Sequence, residues 1–162
     1  MEVKQVDRFL KKPKYSKVDL DLSYRIINHY KTFGLIDGNF NSGKWLKVNS
    51  YQFIWIQIIV KLRTWGVSLK KISLLKENLF TKSHVGSIDL ASYINKSFEE
   101  EIIQAIINKN DLYLLVFMDM TYSFQDSSNK GQWANRAYKD VGHINIPLSR
   151  VISKVYRDLE NA

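Results

Sequence analysis

The chain has no cysteine among its 162 residues, which excludes disulfides, thiolate metal sites and any sensing that depends on thiol chemistry. It also lacks an apolar run long enough to span a membrane. The longest, around Phe53 to Val60, is broken by Gln57, and the opening MEVKQVDRFLKK has no apolar leader segment. The expectation is a soluble, cytoplasmic protein with no membrane partner. Only two prolines occur: Pro13 falls where a short first helix over Val3, Val6, Phe9 and Leu10 would end, and Pro147 where a last helix would begin. Acidic residues are scarce in one half. Residues 1–80 carry 15 Lys and Arg against 6 Asp and Glu, and residues 81–162 carry 9 against 10, so the net charge of +8 divides as +9 and −1. Duplex DNA is attracted to such a surface by Coulomb forces and counterion release. A solvated, Lys-rich face that serves only solubility is the plainer reading of the same count.

The length suffices for one sizeable core or two small ones, and the charge asymmetry favours two modules, residues 1–80 and 81–162. In the first, Ser23 is placed to cap a helix whose Ile26, Ile27, Tyr30 and Phe33 recur at three- and four-residue steps as a buried stripe. The opposite face presents Arg25, Asn28, His29 and Thr32, side chains able to donate to base edges or phosphates. An ordinary polar helix face fits the same residues. Gly34 stops this helix, and DGNFNSG turns the chain into Lys44, Trp45, Leu46 and Lys47, the return strand of a wing with two lysines for a phosphate backbone and Trp45 for packing. Lys11 to Lys17 reads equally as a basic arm or as a solvated linker. Asn49 or Ser50 caps a central helix to about Trp65, apolar on more than one side. Gly66 ends it, and Ser68 caps the next, with Leu69, Ile72 and Leu75 inward and Lys70, Lys71 and Lys76 outward.

The second module reads as helix, strand, strand, helix. Asp89 would cap a helix to about Lys109 with Leu90, Ile94, Phe98, Ile102 and Ile106 on one side. Tyr113 to Phe117 is strand-like, and Met118, Met120, Tyr122 and Phe124 continue with period-2 alternation, a turn at Asp119 being undecided. Gln125 to Asp140 is polar loop, and His143 to Ile146 is a second short strand. Leu148, Ile152, Val155 and Leu159 give the last helix a narrow seam for a sheet or a second subunit.

The run NHYKTFGLI, then GKWLK, then a helix with LRTWG and VSLKKI, resembles the DNA-binding domain of the MerR family of transcriptional regulators over about 60 of the 162 residues. The resemblance rests on Ser23, Ile27 and Tyr30, the Gly34-Leu35-Ile36 exit, the Gly43 to Lys47 wing, and the Leu62, Gly66, Val67, Ser68, Leu69, Ile72 series. It implies an N-terminal winged helix-turn-helix domain over 1–80; with the helix-strand-strand-helix pattern read above for 81–162, which resembles no known ligand-sensing domain and would serve dimerisation or an effector, the expected fold class is α+β. The resemblance further implies a homodimer reading an inverted repeat in double-stranded DNA through Ser23, Tyr24, Arg25, Asn28, His29, Lys44 and Lys47. RNA polymerase is a further partner the family resemblance admits. The chain departs from the family where Asp19-Leu20-Asp21-Leu22 lacks the usual turn glycine, and where Asn28 and Leu46 stand in place of Arg.

Two other functions compete: an excision or recombination accessory factor, and a winged-helix protein interaction module that has lost DNA binding. Catalysis is the least favoured class. Glu99, Glu100 and Glu101 are consecutive on a helix and fan out, and His29, His84 and His143 have no carboxylate or nucleophile at a recognised spacing. No catalytic residue, metal site or cofactor is expected.

Overall fold

The computed structural model describes residues 2–37, 47–80, 97–127 and 142–161. Over these the protein is α+β, with seven helices and two small antiparallel sheets among the described residues. The elements run α1 (Val3–Leu10), β1 (Tyr15–Ser16), α2 (Lys17–Leu20), α3 (Tyr24–Thr32), β2 (Lys47–Val48), α4 (Ser50–Thr64), α5 (Leu69–Phe80), α6 (Phe98–Asn108), β3 (Leu112–Phe117), β4 (Tyr122–Asp126), β5 (His143–Pro147) and α7 (Ser149–Glu160).

The centre is α4. Asn49 and Gln52 close a reciprocal capping box at its start, and eight of its apolar residues are buried, from Tyr51 to Leu62. Such all-round burial needs partners on several sides, and α2, α5 and α7 supply them; α7 also packs on α6, and α6 on α1. Buried residues from Val6 to Val155 form one continuous core across the two charge-defined halves. The boundary expected at residue 80 falls beside residues outside those described.

Gly34 and Gly66 end α3 and α4 alike. Each adopts positive φ, +66° and +80°, and each chain reversal closes with a pair of bonds: Leu35 N to Tyr30 O and Gly34 N to Lys31 O, then Val67 N to Leu62 O and Gly66 N to Arg63 O.

Several expectations are corrected. The described part of the C-terminal half holds three strands, ordered β4-β3-β5, because the tract from Tyr113 to Phe124 folds back at Met118 to Thr121 instead of running on. Asp119 accepts from the Thr121 hydroxyl and amide at 2.6 and 3.0 Å, and Met120 takes positive φ, which makes the reversal. Met118 is consequently exposed, and Gln125 and Asp126 belong to β4. The described part of the long helix begins at Phe98, capped by Ser97; Asp89, Leu90 and Ile94 lie outside the described residues. Trp65, expected on the central helix's apolar surface, is 63% exposed. The seam of α7 is filled by α4 and α6 of the same chain, since Leu148, Ile152 and Val155 are all buried there.

The supposed basic arm is instead tied down. Tyr15 stacks on Phe53 of α4 at 4.2 Å and donates its hydroxyl to Asp158 of α7 at 2.9 Å. Burial, with the Asp158 carboxylate beside it, pushes the Tyr15 phenol well above its ordinary range. Lys14 also reaches Asp158, and Lys154 of α7 pairs with Asp19 at 3.6 Å while lying over the Phe53 ring. At the other end, Asp7 of α1 accepts from Lys11 at 2.8 Å and from Tyr51 of α4 at 2.9 Å.

A single core should unfold as one unit. Ile58→Ala, which empties a fully buried site on α4, is expected to cost about 2–5 kcal/mol in urea denaturation, with circular dichroism and tryptophan fluorescence keeping coincident transitions. Three carboxylates are held below the ordinary 3.8: Asp7 by Lys11 and Tyr51, Asp19 by Ser16 with Lys154, and Asp119 by Thr121. A lowered folded pKa gives stability that is present above the unfolded value and lost as pH falls through the folded one. The thermal midpoint is therefore expected to fall steeply below about pH 4, and Asp19→Asn to lower it at neutral pH while shrinking the acid drop.

Candidate nucleic-acid interface

The surface most suited to a polyanion is built on α3. Ser23 caps it, its Oγ accepting from the Ile26 amide at 3.3 Å, which leaves the positive end of a nine-residue helix at its entry. Ile27 and Tyr30 are buried and anchor one side; burial also raises the Tyr30 phenol pKa. Tyr24, Arg25, Asn28, His29 and Thr32 are exposed together on the rest. Thr32 spends its hydroxyl on the Asn28 backbone carbonyl at 3.0 Å, while Asn28 itself is exposed, as is Arg25, which has no ion pair among the described residues. His29 lies edge-on to Phe33 at 5.1 Å.

Two details of this helix differ from the sequence pattern. Ile26 and Phe33 are 38% and 43% exposed, so only half of the expected apolar stripe is core. Ile27 and Tyr30 are the buried residues of α3, three positions apart, and the burial resumes at Leu35 and Ile36 beyond the Gly34 turn, so the covered strip is narrower than the expected stripe.

The element before α3 is α2, a four-residue helix not anticipated in the sequence. Ser16 and Asp19 form its capping box, and its exit is Asp21 in the left-handed region at φ 53°. Asp21 thus occupies the conformation for which the missing glycine would be the usual choice, and aspartate is among the few side chains that tolerate it. Lys17, at the start of α2, lies with its ammonium 4.4 Å from the centre of the Tyr24 ring, bringing a further cation to the α3 entry. No periodic signal in the sequence marks this pairing.

Lys47 is exposed on β2, and β2 pairs antiparallel with β1, Ser16 opposite Lys47 and Tyr15 opposite Val48. The strand that begins at Lys47 is therefore joined to the segment leading into α2. Lys44, Trp45 and Leu46 lie outside the described residues.

What holds α3 in place is its exit. Trp55 of α4 donates its indole N–H to the Leu35 carbonyl at 2.8 Å, a buried bond. From α5, Ser73 donates to the Phe33 carbonyl at 3.4 Å, and Lys76 donates to the Gly34 carbonyl at 2.7 Å and to both oxygens of Asp37 at 2.9 and 2.8 Å. Lys76 was expected on the wet face; its side chain is only 17% exposed because it turns inward to these acceptors. Placing a cation against the last carbonyls of a helix also complements the helix dipole.

No family model matches the chain, and no curated protein or solved structure is significantly similar to it. Among the described residues no group of three His, Asp or Glu is arranged to hold a metal ion, and no helix is long and apolar enough to cross a membrane.

Lys76→Met keeps the stem and removes the donors, leaving the Gly34 carbonyl and Asp37 without them. It is expected to cost about 1–2 kcal/mol and to speed amide hydrogen exchange at Leu35 and Ile36 more than in α4.

Proposed function

We propose that the protein is a sequence-specific DNA-binding transcriptional regulator resembling the MerR family, with α2 and α3 as the helical pair of a winged helix-turn-helix. In this reading α3 enters the major groove, Arg25, Asn28 and His29 face base edges or adjoining phosphates, and Lys17 and Lys47 meet the flanking backbone. A homodimer would present two copies of α3 to an inverted repeat. The observation that carries the proposal is the exposed Arg25, Asn28 and His29 face on a helix capped by Ser23 at its entry and tied to α4 and α5 by Trp55, Ser73 and Lys76 at its exit. Fixing the helix matters because base readout depends on bidentate geometry that a loosely held helix would blur. The +9 balance of residues 1–80 supplies the sequence-independent part of the attraction.

A second reading has one observation in its favour. Ile26 and Phe33, exposed and seven residues apart, lie on the same side of α3, and an apolar pair of this kind suits a protein partner better than DNA.

Selection of bound duplexes from a random pool at physiological salt separates the two. The expected result is enrichment of an inverted repeat, lost in Arg25→Ala at a cost of about 1–3 kcal/mol per half-site. Lys47→Ala should weaken all duplexes alike and reduce the salt slope by about one unit. Failure to bind any duplex would sink the regulator reading in favour of the protein partner.

A further inference from the structure

Away from α3, between the α4–α5 link and the turn end of the three-stranded sheet, lies a cleft of about 470 Å³. Its walls are Trp65 and Lys71 on one side, and Phe117, Met118, Met120 and His143 on the other. Trp65 is 63% and Met118 75% exposed, so two large apolar side chains stand in water at the same cleft. Its volume is within the range of small-molecule sites, and its lining has their composition: mostly apolar with few polar groups.

The polar groups select a charge. Among the described residues no carboxylate lines the cleft, and the exposed Lys71 has no acidic partner. Lys71 sits in the first turn of α5, whose cap, the Ser68 hydroxyl, accepts from the Lys71 amide at 3.3 Å. The amides of Leu69 and Lys70 precede the first helical bond and have no carbonyl partner within the helix. A cation and a dipole-positive helix end thus share the wall that carries Trp65. The opposite wall offers flat and deformable apolar surface, with Phe117 and His143 edge to face at 5.9 Å and two methionines beside them.

We propose that this cleft binds a small organic anion with a planar apolar body, the ring system lying against Trp65 and Met118 and the acid group meeting Lys71. This binding is independent of whether α3 reads DNA.

The test uses 1-anilinonaphthalene-8-sulfonate, whose emission reports burial, and N-phenyl-1-naphthylamine, the same body without the sulfonate. The expected result is saturable binding of one sulfonate probe per chain, weakened about tenfold by Lys71→Glu and also weakened by Trp65→Ala, with circular dichroism unchanged. Lys4→Glu makes the same change in net charge on α1 and should leave the affinity unchanged, and the neutral probe should bind about tenfold more weakly. Absence of saturable binding would overturn the site. Equal affinity for the neutral probe, or equal weakening by Lys4→Glu and Lys71→Glu, would overturn the anion assignment. Probe release that tracks formation of a dimer would show that a second copy fills the cleft instead.

Discussion

The position of α3 depends on what becomes of the carbonyl groups at its C-terminal end. The amides of Phe33, Gly34 and Leu35 close on the last turn of α3, and the sharp turn at Gly34 leaves the carbonyl oxygens of these same three residues to find donors in the body of the protein. Ser73, Lys76 and Trp55 answer the oxygens of Phe33, Gly34 and Leu35 in turn. Each such bond is worth on the order of 1 kcal/mol net, more where the donor is charged, and each costs more than that if one partner is removed. Because the donors come from both α4 and α5, the three helices are fixed relative to one another by directional bonds as well as by packing. Ile27 and Tyr30 alone would seat α3 but leave its rotation weakly defined.

The charge division of the chain does not coincide with a division of its core. Excess positive charge is confined to residues 1–80, yet α4 from that half is walled on one side by α7, and α1 packs on α6. Surface charge and interior packing answer to different physics: the first sets which partners approach, the second which elements can bury their apolar faces. The links between the halves are also polar, through Tyr15 and Lys14 to Asp158 and through Lys154 to Asp19. The acidic groups of the C-terminal helix are thus partly spent on holding the N-terminal strand.

Much of the fold was legible where one short-range rule acts alone. Pro13 marked the end of α1, Ser23 and Gly34 bounded α3, Asn49 and Gly66 bounded α4, and Ser68 opened α5, all from caps and breakers acting within a turn or two. Readings failed where a distant partner decides the outcome. Nothing near Lys76 shows that it turns inward, since its acceptors lie 39 and 42 residues away. Period-2 alternation continued smoothly through Met118 and Met120, and only the hydrogen bonds of Asp119 to Thr121 divide it into two strands. The exposed polar face of α3 was readable as a face; which of its flanking apolar residues would be covered was not, because Ile26 and Phe33 obey the same spacing as Ile27 and Tyr30.

The bond from Tyr15 to Asp158 spans 143 residues, and that from Lys14 to the same residue 144. In a chain made from its N-terminus, β1 can form early but cannot be clamped until the last helix has been synthesised. During that interval the face of α4 that receives α7 stays open to water. Closing so long a loop brings its entropic cost forward and its reward last, which slows folding in chains of high contact order. The basic segment of this protein is thus made well before the helix that secures it, and in the meantime its apolar neighbours are available to a chaperone or to aggregation.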